Sequence, residues 1–161
     1  MASFERALKL NPRYVEAENN LGLSCLALNR SDEAKKAFQE AIDWQGTIPS
    51  DAQPFLNLGT LIADMGNLED AVPYLTKAAA LAPRNPRIHE KLGQVYQAQK
   101  NLAKAQSELE QAIALAPDVS ALHYNLGEVY QREGFSDKAQ YEFGLCERLN
   151  STHSSKATPN P

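Results

Sequence analysis

The run Pro86–Pro117, PRIHEKLGQVYQAQKNLAKAQSELEQAIALAP, decides the fold. Leu92-Gly93 and Tyr96 share one helical face. After a break at Lys100-Asn101, Ala105, Leu109 and Ala112 share a second face, and the run closes on Ala-Pro. Gly59 and Gly127 lie 34 residues to either side of Gly93, and Pro83 lies 34 residues before Pro117. Self-similarity at a fixed period of this length marks a repeat architecture.

Four units follow from that register. The first, about 15–49, carries Leu21-Gly22 and Cys25, then Ala34, Phe38 and Ala41, with Ser31 predicted as the N-cap of its second helix. The step from Gly22 to Gly59 is 37 residues, so the added length is placed near Trp44–Pro49, where Gly46 and Pro49 forbid a regular helix. Trp44 is expected to fold back over the seam there. The second unit, 51–83, carries Phe55, Leu58-Gly59 and Ile62, then Ala71, Leu75 and Ala78. Gly66-Asn67 forms its turn, and Pro73 is predicted to kink the second helix on its outer face. The third is 86–117. The fourth, 120–150, carries Leu126-Gly127 and Tyr130, the turn at Gly134, then Ala139, Phe143 and Cys146.

Residues 1–14 read as the second helix of a partial repeat: Phe4, Ala7, Leu8 and Pro12 match Leu109, Ala112, Ile113 and Pro117 in spacing. Either the sequence is cut from a longer array or the first half-repeat has degenerated; a deliberate N-terminal cap is the other reading. Residues 151–161, STHSSKATPNP, are poor in apolar residues and are expected to be a disordered tail.

One helix pair cannot bury both its faces, whereas a stack of pairs buries a continuous core. Glycine inside a helix costs about 0.5–1 kcal/mol against alanine, and here it recurs at 22, 59, 93 and 127. Close approach of the two helices of a pair offsets that cost. The alanines at 34, 71, 105 and 139 are expected to face it, with Phe38, Leu75, Leu109 and Phe143 filling the space between pairs.

This pattern resembles the tetratricopeptide repeat family, most closely at Phe55, Leu58-Gly59, Ile62, Ala71, Leu75 and Pro83. Glu18, His89 and His123 depart from the family's aromatic in the slot held by Phe55, which is expected to loosen the first-helix seam. The resemblance covers about 1–150. It implies an all-α solenoid of stacked antiparallel helix pairs, wound as a right-handed superhelix, with a concave groove lined by the first helices. It also implies binding of peptides or partner proteins without chemistry of its own.

Composition excludes several other classes. Net charge is −4 and the pI near 5.4, which argues against a nucleic-acid phosphate binder. Apolar content of 43% with 22% charged residues fits a globular chain rather than disorder. No apolar run approaches the roughly 20 residues of a membrane span, and Glu5 and Arg6 interrupt any signal-peptide core. Cys25 and Cys146 read as buried small hydrophobes too far apart to pair. No phosphate loop, metal-ligand cluster or nucleophile–base pair appears, so no cofactor and no enzymatic activity is expected.

On the family geometry, the residue two before each glycine points into the groove: Asn20, Asn57, Lys91 and Asn125. An amide side chain both donates and accepts, so such a column can hold an extended backbone without reading its sequence. This is similar to the asparagine ladder of O-GlcNAc transferase. Asn57, Arg87 and Lys91 also match part of a carboxylate clamp, but Asn19 and Leu23 occupy its first two places, leaving an anion-preferring patch. Leu23, Leu26, Leu56 and Tyr124 are expected to face the groove as well. The reading is a scaffold that binds an extended peptide or a helix. The alternatives are a regulatory or targeting arm of a larger protein or secretion machine, and self-association through the array ends.

Overall fold

The structure, a computed structural model, describes residues 15–46 and 49–156. The partial repeat expected over 1–14 lies outside them, as do 157–161. Among the described residues the regular structure is helical: α1 (Val15–Ala27), α2 (Ser31–Asp43), α3 (Gln53–Asp64), α4 (Leu68–Leu81), α5 (Pro86–Ala98), α6 (Leu102–Leu115), α7 (Ser120–Glu133) and α8 (Ser136–Lys156). The chain divides at Pro83–Arg84 into two compact units. In the first, α1 packs on α2, α2 on α3 and α3 on α4. In the second, α5 packs on α6, α6 on α7 and α7 on α8.

A recurrent turn separates the helices of each pair. Asn29, Gly66, Lys100 and Gly134 all have positive φ, between 56° and 87°. The residue after each donates its N–H to a carbonyl five back: Arg30 to Cys25, Asn67 to Ile62, Asn101 to Tyr96, Phe135 to Tyr130. This satisfies carbonyls that a helix C-terminus leaves without partners. Two of the four left-handed positions are not glycine, so the period is set by turn geometry rather than by one residue type.

The glycine on each first helix faces the large residue of its partner helix. A Cβ at Gly22 would sit 2.5 Å from Phe38, at Gly59 2.8 Å from Leu75, at Gly93 2.7 Å from Leu109 and at Gly127 2.6 Å from Phe143. The large residues therefore lie inside each pair, over the glycine, and not between pairs as the spacing suggests. A side chain leaning back toward its helix N-terminus reaches the facing helix one position earlier than residue counting implies. The alanines at 34, 71, 105 and 139 are buried beside them.

Other local expectations change. Ser31 is the first residue of α2; Arg30 holds the cap position and pairs with Glu33 instead. Asn67 occupies the cap of α4 without a side-chain bond, whereas Asn85 and Asn101 cap α5 and α6 through their side chains. Pro73 is exposed, and α4 runs through it. Trp44 ends α2 half-buried. It is Gln45 that organises the following loop: its Oε1 accepts from the N–H groups of Ser50 and Asp51, and its Nε2 donates to the Asp51 carbonyl. Cys25 is buried but Cys146 is only half-buried. Helix α8 continues to Lys156 where a disordered tail is expected at Ser151, because no glycine or proline stops it between Asn150 and Ala157.

Candidate interaction surface

The first helix of each pair carries both an apolar stripe for the core and the residues expected to bind. In the first unit α3 lies between α2 and α4, and a helix with two neighbours buries two stripes. Leu56 is 3% exposed, so it belongs to the core and not to a binding face. On α1, Leu23 is 43% exposed and Asn20, one turn earlier, is half-buried; Leu26 is half-buried. Residues three apart on a helix are neighbours on its surface, so Asn20 and Leu23 form one amide-plus-apolar patch.

Asn57 Nδ2 donates to Asn19 Oδ1 at 2.8 Å, and Gln53 Nε2 donates to Asn57 Oδ1 at 3.1 Å. Asn57 is thus joined to Asn19, a buried neighbour of Asn20, in a three-amide relay tying α3 to α1. Asn57 keeps one N–H and one lone pair for another partner. Asn20 lends its backbone carbonyl to Ser24 Oγ, leaving its side-chain amide outside that contact.

In the second unit Arg87 is exposed at the first turn of α5, and Lys91 follows one turn later, half-buried. Among the described residues neither takes part in a salt bridge. Glu90, the acid between them, accepts from Gln94 instead. On α7 Tyr124 is 50% exposed, its ring 5.6 Å from that of Phe143, with half-buried Asn125 beside it.

In the third and fourth repeats the slot four residues before the glycine binds its histidine to the partner helix. His89 Nδ1 lies 2.7 Å from Glu108 Oε2, and His123 Nδ1 lies 2.7 Å from Glu142 Oε2, with both rings buried. His123 Nε2 also meets the Pro117 carbonyl at 3.0 Å. Both nitrogens of the His123 ring therefore have hydrogen-bond partners. These histidines are framework groups, and the partner acids Glu108 and Glu142 went unseen in the sequence, although both stand 19 residues after their histidine. Tyr130 donates to Glu110 at 3.1 Å; burial first, and then that bond, pushes its hydroxyl pKa up to about 12. Gln97 reaches Glu128 from α5 to α7.

In the first repeat the slot holds Glu18, buried at 3% exposure. Burial raises its carboxyl pKa to about 7; the neighbouring Glu40 carboxyl adds to the shift by repulsion and by a hydrogen bond, and Lys36 opposes it. No group of three or more metal-ligating side chains occurs among the described residues, and no described helix is long and apolar enough to cross a membrane.

Two family profiles, both for the tetratricopeptide repeat, match residues 2–52 and 63–126. No curated protein sequence matches the chain. Among solved structures the fold is similar to that of MamA, with a TM-score of 0.84 at 21% identity over 94% of this chain and 87% of MamA. It is similar to YrrB, described as a TPR protein with an unusual peptide-binding site, with a TM-score of 0.77 at 22% identity over 96% of this chain and 81% of that one. It is also similar to PilF of Pseudomonas aeruginosa, with a TM-score of 0.82 at 20% identity, the chain spanning 65% of that protein's length. The glycine-to-large-residue pairs, the left-handed turns and these matches place the chain in the tetratricopeptide repeat family, a fold that generally serves as a non-catalytic scaffold for protein–protein interaction.

Proposed function

We propose that this chain is a non-catalytic scaffold that binds an extended peptide or a helix of a partner protein along the exposed faces of its first helices. Asn20, Leu23 and Asn57 would serve in the first unit, and Arg87, Lys91, Tyr124 and Asn125 in the second. The observation that carries the reading is the exposure of Leu23 and Tyr124 on first helices, each close to an asparagine with amide capacity to spare. Large exposed apolar side chains rimmed by polar groups suit a partner, and the amides suit its backbone. Arg87 and Lys91, with no acid paired to them among the described residues, favour an acidic residue or a carboxylate in the segment bound to the second unit. The peptide-binding site for which YrrB is described supports a peptide as the ligand class. A single segment on such a surface binds at about micromolar strength, roughly −8 kcal/mol.

Selection of displayed random peptides against the purified chain tests this. Enriched peptides are expected to lose binding at least tenfold to Leu23→Glu in the first unit or Tyr124→Glu in the second. They should keep it with Met65→Glu, a comparably exposed apolar residue at a turn. Retention by all three variants would refute the assigned faces.

A further inference from the structure

We propose that the cleft between α1 and α2 is a binding site for a guanidinium side chain of a partner protein, held against the Glu18 carboxylate. The cleft, open to solvent on one side, has a volume of about 250 Å³ and is lined by Glu18, Leu21 and Cys25 of α1 and by Ala37 and Glu40 of α2, among others. It shares no residue with the surface proposed above and stands apart from that reading.

The repeats themselves supply the comparison. In the third and fourth repeats a half-buried carboxylate at the second-helix position, Glu108 or Glu142, meets a buried imidazole 19 residues earlier at 2.7 Å. In the second repeat the same two positions hold Phe55 and Tyr74. In the first repeat they hold Glu18 and Ala37. The carboxylate has moved to the first helix, and the side chain that would answer it ends at a methyl group. Glu18 Oε2 is buried and, among the described residues, has no hydrogen-bond partner. Leaving such an atom unpaired is unfavourable, more so when it is charged. The space an answering donor would fill is the cleft.

Charge and size narrow the occupant. The acids facing the cleft are Glu18 from α1 and Glu33 and Glu40 from α2, and Lys36 is the cation that faces it. Glu33 is paired with Arg30 at the turn, and Lys36 Nζ stays 3.7 Å from Glu40 with its side chain 79% exposed. Among the described residues, Glu18 is thus the cleft acid that forms no salt bridge. A volume near 250 Å³ far exceeds one water, about 30 Å³, and falls just short of small-molecule pockets, which begin near 300 Å³. It suits one side chain. The Glu18 and Glu40 carboxyls lie close enough to repel one another. A planar fork of N–H donors can address two such carboxylates at once, which a single ammonium cannot do as well. Leu21 and Ala37 offer apolar wall for the methylene stem. The elevated carboxyl pKa of Glu18 fits the same picture: the site holds a proton where it lacks a cation.

The test titrates N-acetyl-arginine amide into the isotope-labelled chain and follows backbone amide resonances at pH 6 and pH 8. Saturable shifts centred on Glu18, Ala37 and Glu40 are expected, with tighter binding at pH 8. At least tenfold loss is expected in Glu18→Gln and in Ala37→His, which rebuilds the filled slot of the later repeats. Absence of saturable shifts, or equal binding by Glu18→Gln, would overturn the site. Equal binding of the citrulline amide would overturn the role of charge, and equal binding of the lysine amide would overturn the guanidinium. Tighter binding of free arginine than of the capped amide would overturn a protein side chain as the occupant.

Discussion

The contact between Gly59 and Leu75 makes the claim of close helix approach measurable. A Cβ at Gly59 would lie 2.8 Å from Leu75 Cγ, 2.9 Å from its Cδ2 and 3.2 Å from its backbone nitrogen. Carbon atoms prefer about 3.5–4.0 Å, and Leu75 is fully buried with no room to swing away. Overpacking of this kind costs about 1–3 kcal/mol, while alanine regains about 0.5–1 kcal/mol of helix propensity. Gly59→Ala should therefore destabilise by up to about 2.5 kcal/mol. Leu75→Ala alone removes a buried leucine and should cost about 2–5 kcal/mol. In the double variant the new methyl enters the vacated space, so the two losses should fall short of their sum by at least about 1 kcal/mol. Urea denaturation followed by far-UV circular dichroism, fitted as coupled repeats, gives all three values. Additivity within about 0.5 kcal/mol, the behaviour of independent sites, would refute the packing argument. So would a Gly59→Ala variant stabilised by the full propensity gain.

Lys100 holds φ 61° in the turn between α5 and α6 where Gly66 and Gly134 serve elsewhere; Lys100→Gly should raise stability by up to about 1 kcal/mol in the same denaturation assay, since a left-handed L-residue costs about 1–2 kcal/mol and glycine returns part of it in chain entropy. Glu142→Ala should destabilise by about 1–3 kcal/mol by leaving the buried His123 ring without that hydrogen-bond partner, whereas His123→Phe combined with Glu142→Tyr, the pairing of the second repeat, should come within about 1.5 kcal/mol of the parent. Glu18 binds its proton more tightly folded than unfolded, so its contribution is greatest below pH 4.5 and is lost as pH rises through about 7. The full shift would be worth about 3 kcal/mol, which water access to the cleft cuts to roughly 1–2 kcal/mol; Glu18→Gln should remove that part of the slope of unfolding free energy between pH 5 and pH 8.

The repeat register was legible because glycine and alanine at a 34-residue step are forced by backbone approach, which leaves its mark on residue type. The pairing of Phe38 with Gly22 was misread because spacing along one helix does not fix which neighbour a long side chain leans toward. Leu56 was misplaced for a related reason: one helix's pattern does not reveal how many sides are covered. The His123–Glu142 couple was hidden because the acid looks like any solvated glutamate until the imidazole is set against it. Asn57 stood out by position, yet its bond to Asn19 rather than Asn20 depends on rotamers that spacing does not encode.

The most direct measurement of the central claim is site-specific photocrosslinking. A photoreactive phenylalanine analogue is placed in turn at Leu23, Tyr124, Met65 and Lys35, all exposed, and adducts formed in the native host are resolved by mass spectrometry. The account predicts adducts with partner protein at 23 or 124 and none at 65 or 35. Adducts confined to 65 and 35 would contradict it.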